Sequence, residues 1–235
     1  MALPKIVTPE FETTLPSNNQ TIKFRPFLVK EEKILLMASE GQDQKEIMGA
    51  VLKILQSCIE TEGIIITELP LFDIEWLFLQ VRGKSVGEVI PLKIKHVQDE
   101  KCKAENDIEV KIDDIKIEKD PNHKNVIDID GNIGLTMGYP TLTSVGQNLG
   151  SMKTEDMFEV IEKCVVNIFD KEQVYTDFTK AELQEFLGKF DKKQFDKIVK
   201  YFQTFPKLRH KIKYKCVKCG ADVEHTLESL MDFFL

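Results

Sequence analysis

Two cysteines near the end of the chain have the type and spacing of metal ligands. Cys216 and Cys219 are separated by two residues and followed by Gly220. This arrangement is typical of a zinc knuckle, in which two thiolates lie on a tight turn and the glycine adopts a positive φ. Structural zinc sites use four protein ligands. The other three cysteines stand singly in the sequence, so no second CxxC pair completes the set.

Two distant segments share a pattern that indicates where the missing ligands lie. Residues 92–110 and 210–224 each contain a Lys-Ile-Lys arm, a turn with cysteine and an arm of acidic and apolar residues. We expect these two hairpins to lie side by side, as the halves of a zinc ribbon do. His96 and Cys102 then become the third and fourth candidate ligands, although five residues separate them, and His225 competes with them. Because His96 and Cys102 lack the spacing of a zinc knuckle, the pattern favours a metal-free ribbon that has lost its second ligand pair, and bound zinc is the alternative.

The composition is that of an ordinary folded protein. The chain has 235 residues, of which 42% are hydrophobic and 30% charged, enough for the core of one or two domains. Its net charge of -7 makes nucleic-acid binding or an anionic-membrane surface a poor expectation. Five scattered cysteines do not form a disulfide framework. Because the sequence shows neither a secretory leader nor a long apolar run, we expect a reduced, cytosolic protein without a membrane segment.

Hydrophobic periodicity predicts a mixture of helices and strands. Alternating residues on both sides of a turn at 17–20 predict an N-terminal hairpin, and a 3.6-residue period predicts two helices within 29–59. A third helix, predicted over 70–83, is apolar around much of its circumference, which indicates a central position in the core. Residues 87–139 alternate again and predict a small antiparallel sheet.

The second half of the sequence returns to helices before a final hairpin. Residues 154–170 carry an apolar face at helical spacing, and two more helices are predicted before Pro206. The predicted fold class is α+β, with a mostly helical body, an N-terminal hairpin and a zinc-ribbon-like antiparallel β subdomain built from the middle and C-terminal hairpins. The predicted segments are 1–86 (N-terminal hairpin plus helices), 87–140 (antiparallel β insert), 141–206 (helices packing with the N-terminal helices) and 207–235 (CxxC hairpin and apolar tail pairing with the insert).

Two apolar clusters are candidate contact sites for a partner protein. One surrounds Pro26, and the other ends the chain. Because chain ends fray unless they dock, the apolar end either packs on its own body or inserts into a partner groove. The candidate partner-binding residues are Phe24, Pro26, Phe27, Met231, Phe233, Phe234 and Leu235.

No group of residues in the sequence has the pattern of a known catalytic site. The sequence lacks a Gly-rich phosphate loop, an HExxH helix and a GxSxG elbow. No serine or cysteine has a well-placed base either. We therefore expect a binding protein and not an enzyme.

Four longer blocks of sequence resemble one known family. They are KFRPFLVKEEKILLMA, LPLFDIEWLFLQVRGKSVGEVI, IGLTMGYPTL and QFDKIVKYFQTFPKLRHKIKYKCVKCG, which begin at residues 23, 69, 133 and 194. In this order they cover much of the chain, and together they resemble the baseplate protein family of T4-type contractile-tailed phages. Members of that family often carry paired cysteines in both hairpins, and this sequence departs from the pattern in the first hairpin.

The resemblance implies a role in tail assembly. It implies a component of the baseplate hub, or a factor that helps to assemble it, and binding to other phage hub and tail proteins. Such a protein would act in the host cytoplasm during assembly and could remain in the tail baseplate of the virion. The alternative from another class is a zinc-ribbon regulator that binds nucleic acid. That function would need a complete metal site and a basic ribbon face, and the net charge of -7 disfavours it.

Overall fold

The computed structural model describes residues 7–41, 43–96, 102–145 and 154–233. These residues form helices and small antiparallel sheets, which confirms the predicted α+β class. No described helix combines the length and the apolar character that crossing a bilayer requires.

The described elements are strands β1 to β11 and helices α1 to α7, with three short 3-10 turns between or after them. In chain order they are β1 (Phe11–Thr14), β2 (Thr21–Phe24), α1 (Val29–Glu40), α2 (Gln44–Cys58), a 3-10 turn (Ile66–Glu68), α3 (Leu71–Ser85), β3 (Val89–Lys95), β4 (Glu105–Lys111), a 3-10 turn (Ile112–Asp114), β5 (Lys116–Glu118), β6 (Val126–Asp128), β7 (Gly134–Met137), α4 (Leu142–Val145), α5 (Thr154–Cys164), β8 (Val165–Phe169), β9 (Val174–Tyr175), α6 (Lys180–Gly188), α7 (Lys192–Thr204), β10 (Lys207–Lys215), β11 (Asp222–Leu227) and a 3-10 turn (Leu230–Phe233).

The chain divides into two compact units. The first comprises Met1–Ile66, Phe72–Glu118 and Lys207–Leu235, and the second comprises Thr67–Leu71 and Lys119–Pro206. Of the segment boundaries predicted from the sequence, only the one between 206 and 207 coincides with a boundary between units. Residues 141–206 belong with 119–140 in the second unit instead of with the N-terminal helices, because β8 pairs with β7.

Antiparallel pairing connects the strands within each unit. In the first unit β1 pairs with β2, β3 pairs with β4, and β10 lies between β5 and β11. In the second unit the strand order is β6-β7-β8-β9. The predicted N-terminal hairpin and the CxxC hairpin are both present, and β10 brings β5 from the middle of the chain beside the C-terminal hairpin.

Helix α3 contributes a large part of the core of the first unit, as its apolar circumference predicted. Its buried apolar side chains are Phe72, Ile74, Leu77, Phe78, Leu79 and Val81. Asp73 is also wholly buried, and its carboxylate accepts hydrogen bonds from the amide and the hydroxyl of Ser17. Burial raises the pKa of Asp73. These bonds fix the turn of the N-terminal hairpin against α3.

A second acidic residue of α3 contacts the C-terminal segment. The Leu230 amide donates a hydrogen bond to Glu75 Oε1 at 3.1 Å, and the side chains of Leu230 and Phe233 are buried. Burial raises the pKa of Glu75 to about 7, and the negative charge of Asp232 adds to the rise. The described part of the C-terminal segment therefore packs on its own unit, next to a carboxyl group that titrates near neutrality.

The raised pKa of Glu75 predicts a pH-dependent stability. Because the folded state holds this proton to a higher pH than the unfolded state, the free energy of unfolding should fall as the pH rises from about 4.5 to about 7. Glu75→Gln keeps an oxygen acceptor for Leu230 and cannot ionise. We expect the variant to flatten this fall and to gain up to about 3 kcal/mol at pH 8, measured by urea unfolding at pH 5 and pH 8. If the free energy of unfolding of the variant falls with pH as steeply as that of the wild type, groups other than Glu75 cause the fall.

The second unit packs α5, α6 and α7 with the sheet of β6 to β9. One prediction is wrong here, because the helix predicted over 154–170 ends at Cys164 and Val165–Phe169 form strand β8. The sequence Val-Val-Asn-Ile-Phe is rich in β-branched and aromatic residues, which fit a strand. Pairing with β7 on one side and β9 on the other decides the conformation that the helical spacing left ambiguous.

Candidate metal centre

The four predicted metal ligands meet in the first unit. His96 follows β3 and Cys102 precedes β4, while Cys216 and Cys219 lie in the turn between β10 and β11. One potential ligand atom from each of these residues lies within 4.8 Å of the others. We call these four residues the His-Cys cluster. His225, the competing candidate, lies on β11 and is not part of the cluster.

The distances within the His-Cys cluster fit a tetrahedral ion. The sulfurs of Cys102 and Cys216 are 3.5 Å apart, and the sulfur of Cys219 lies 3.5 Å from Nδ1 of His96. With Zn–S bonds of about 2.3 Å and Zn–N bonds of about 2.0 Å, the edges of a tetrahedral site are about 3.8 Å between two sulfurs and about 3.5 Å between sulfur and nitrogen. The sulfur–nitrogen separation equals the ideal edge and the sulfur–sulfur separation is slightly shorter, so both are compatible with a tetrahedral site.

Backbone hydrogen bonds fix the turn that carries two of the ligands. The Cys216 amide donates to the carbonyl of Ala221, and the Gly220 amide donates to the carbonyl of Cys216, each at 2.9 Å. Gly220 has a φ of 72°, which a side chain would strain. The backbone amides of Cys219 and Lys218 lower the pKa of the Cys216 thiol to about 6. The turn therefore favours a thiolate, which is the form that binds metal.

The thiol pKa is raised at three other cysteines, Cys102, Cys58 and Cys164. The Ala104 amide lowers the pKa of Cys102, but burial and the neighbouring thiols outweigh that effect and raise it. Cys58 and Cys164 are buried outside the cluster, and burial raises the pKa of each to about 11. These two residues are therefore protonated core side chains at neutral pH.

Asn106 joins the two hairpins, a role that was not predicted from the sequence. It is almost completely buried on β4, and its Oδ1 accepts a hydrogen bond from the Val217 amide at 2.9 Å. Its Nδ2 donates to the carbonyls of Ala104 at 3.1 Å and Ile94 at 3.3 Å. A signal was present in the sequence, because Asn106 falls on the same face of the alternating strand as the buried Val110.

The surroundings of the cluster suit a structural ion. Cys102, Cys216 and Val223 form a small buried group, against which Ala104 and Tyr214 pack. His96 is also buried, whereas Cys219 is exposed. Four protein ligands leave no open coordination position for a substrate, which is the arrangement of structural and not catalytic zinc sites. The His-Cys cluster could therefore hold a metal that ties the two hairpins together.

The predicted partner-binding residues lie in the interior where the structure describes their side chains. Phe24 is 1% exposed, Phe27 is 7% exposed and Pro26 is buried, while Phe233 is 4% exposed. In this conformation these side chains contribute to the core and expose little area to a partner. Outside the described part of the chain are Phe234, Leu235 and the side chain of Met231.

Helix α1 instead presents apolar side chains to solvent. Val29, Leu36 and Met37 are 80%, 59% and 62% exposed. Spacings of seven and eight residues place Leu36 and Met37 on the same helix face as Val29, and we call these three residues the α1 stripe. The opposite side of the helix contacts α2 through Leu35 and Ala38. The amphipathic period alone did not show which apolar residues of α1 remain uncovered.

The comparison with known families covers both units. A family model described as T4 bacteriophage base plate protein matches residues 8–235, which include all of the His-Cys cluster. No curated protein and no solved structure matches the chain. The family match extends over nearly the whole chain and agrees with the resemblance of the four sequence blocks. The chain therefore belongs to the T4 bacteriophage base plate protein family.

Proposed function

We propose that this baseplate protein acts in the hub of the contractile tail, as a hub component or as a factor in hub assembly, by binding other hub and tail proteins. The observation that carries the proposal is the family match over residues 8–235. The His-Cys cluster is a closed set of four ligands, which suits a structural role better than catalysis. The protein would meet its partners in the host cytoplasm while the tail assembles.

The α1 stripe supports a role in protein binding. Single exposed apolar side chains are normal on a protein surface, but Val29, Leu36 and Met37 share one helix face. Lys33 is exposed on the same face. A partner that receives this face would therefore offer an apolar groove with an acidic side chain near Lys33.

Zinc is the ion that we propose for the His-Cys cluster. Three thiolates and one imidazole are soft ligands that favour zinc over magnesium or calcium, which prefer oxygen. When bound, zinc would supply a fixed crosslink between the β3–β4 hairpin and the β10–β11 hairpin. The residues themselves hold the β10–β11 turn in the geometry that presents Cys216 and Cys219 together. The arrangement of these two hairpins in the first unit would then depend on the metal.

The proposed function is tested by complementation of a phage that lacks the gene. We expect few or no tails from the deletion and normal tails when the wild-type protein is supplied. Leu36→Glu should lower the yield of tails about tenfold or more without changing the melting temperature, because an exposed side chain contributes little to folding. The matched control is Val86→Glu, at another exposed apolar position of the first unit.

The possible outcomes test the role in tail assembly and the α1 stripe independently of each other. Normal tails in the absence of the gene would overturn the proposed role in assembly. Normal tails with Leu36→Glu, together with loss of tails in the deletion, would retain that role and exclude the α1 stripe as the contact surface.

A further inference from the structure

A cavity in the second unit has walls of apolar side chains. Its volume is about 340 Å³, and it lies between the β8–β9 hairpin and helix α6. Ile168 and Phe169 of β8 line one side, and Phe178, Leu183 and Phe186 line the other. Leu183 is buried in the core of the unit, whereas the three phenylalanines keep part of their surface exposed. The cavity can therefore receive a large apolar side chain from solvent.

The sheet holds one wall of this cavity in place. Phe169 pairs with Gly134 across β8 and β7, and a Cβ at residue 134 would lie only 2.2 Å from the Phe169 ring. The ring thus occupies the space above the glycine instead of filling the cavity. Phe178 and Phe186 pack against the core cluster of the unit. The cavity is a preformed feature of the packing and does not depend on a loop closing over it.

The rim of the cavity is acidic. Asp170, Asp177 and Glu182 are among the lining residues, and no lysine, arginine or histidine is among them. The Asp170 carboxylate accepts hydrogen bonds from the Gln173 amide at 2.9 Å and from the Tyr175 hydroxyl at 2.8 Å, which hold it at the rim. Backbone amides lower the pKa of both Asp170 and Glu182, so both are charged at neutral pH. A ligand with positive charge next to an apolar group matches this rim.

The edge of the sheet offers a way for an extended chain to reach the cavity. In the described structure β9 is the last strand of its sheet and contains only two residues, Val174 and Tyr175. Both side chains are exposed, and Tyr175 also lines the cavity. Extended peptides bind such edges by adding a strand and placing alternate side chains in pockets. The neighbouring edge therefore favours a peptide over a small molecule as the occupant.

We propose that this cavity binds an extended segment of a partner protein through a large apolar residue that is flanked by lysine or arginine. The apolar side chain enters between Phe169 and Phe186, the flanking cation faces Asp177, and the peptide backbone runs beside β9. This inference rests on the proposed function, since it gives the hub protein a second contact surface, distinct from the α1 stripe.

The experiment uses the full chain and a random library of twelve-residue peptides displayed on yeast, followed by fluorescence polarisation with the selected peptides. We expect enrichment of peptides with a large apolar residue next to lysine or arginine. Asp177→Lys should raise their Kd at least about tenfold, and Asp177→Asn should raise it less. Glu172→Lys, at an exposed acid of the same hairpin outside the cavity lining, is the matched control and should leave the Kd unchanged.

The outcomes either support the inference or overturn it. No enrichment of such peptides, or an equal Kd with wild-type and Asp177→Lys protein, would overturn it. Complementation of the gene deletion separates this result from the proposed function. If the deletion abolishes tails while Asp177→Lys restores them fully, the peptide site fails and the assembly role stands. Normal tails in the deletion itself overturn the assembly role whatever the peptides show.

Discussion

Cys216→Ser is expected to abolish stoichiometric zinc binding and to lower the free energy of unfolding by several kcal/mol. The Cys216 sulfur lies 3.5 Å from that of Cys102, so its loss leaves three ligands. Zinc-finger peptides gain about 10–16 kcal/mol from a complete site. Because β10 also pairs with β5 and Asn106 bonds to Val217, part of the hairpin arrangement should persist here, and the loss should be smaller. Elemental analysis and thermal unfolding measure the two effects.

A second cysteine variant distinguishes loss of metal from loss of packing. Cys58 is fully buried in the same unit and lies outside the His-Cys cluster. Cys58→Ala should therefore lower stability through lost packing and retain the zinc content of the wild type. Equal zinc content in Cys216→Ser and Cys58→Ala protein would contradict the assigned ligand set.

Arg25→Ala is expected to cost about 3–5 kcal/mol at pH 7, because it leaves a buried charge without its main partner. The Glu31 carboxylate is almost wholly buried in the first turn of α1, and it lies 3.0 Å from the Arg25 guanidinium. It also accepts a hydrogen bond from the Leu28 amide at 2.8 Å. Arg25 also donates to the carbonyl of Ser57 at 2.8 Å. Lys30 lies 3.4 Å from Glu31 but is largely exposed, so it compensates only in part.

The pH dependence and a double-mutant cycle test this assignment. Burial raises the pKa of Glu31, but the Leu28 amide and Arg25 outweigh it and lower the pKa overall. The stabilisation is therefore present above about pH 4.5 and is lost as the pH falls through the lowered folded-state pKa. The cost of Arg25→Ala should shrink in acid, and it should also shrink in a Glu31→Gln background. Equal costs in both backgrounds would contradict the ion-pair account.

The segment around this ion pair shows why a sequence pattern does not distinguish a core contact from a partner contact. FRPF was predicted to contact a partner because aromatic side chains surround a proline. In the structure Phe24 and Phe27 are core residues, and Arg25 reaches across to Glu31 in the adjoining helix. A sequence pattern shows that side chains are apolar, but it does not show whether the same chain or another one covers them. That depends on packing between elements far apart in the sequence.

The grouping of the four candidate ligands could be predicted because their pattern is local and repeated. The CxxC spacing places two candidate ligands on one turn, and the matching Lys-Ile-Lys arms indicated the hairpin that contributes His96 and Cys102. The role of Asn106 could not be derived in the same way, since its bond to Val217 joins residues 111 positions apart. Strand β8 was not predicted because a short apolar run fits the spacing of a helix as well as that of a strand. Its pairing with β7 and β9 decides the conformation.

The measurement that tests the metal centre most directly is the zinc content of the natively purified protein, paired with thermal unfolding in the presence and absence of a chelator. Three thiols and one imidazole within 4.8 Å of one another predict one zinc per chain and a lower melting temperature with chelator. Protein that contains no zinc and melts at the same temperature in both conditions would contradict the account. The two hairpins would then be joined by hydrogen bonds and packing alone.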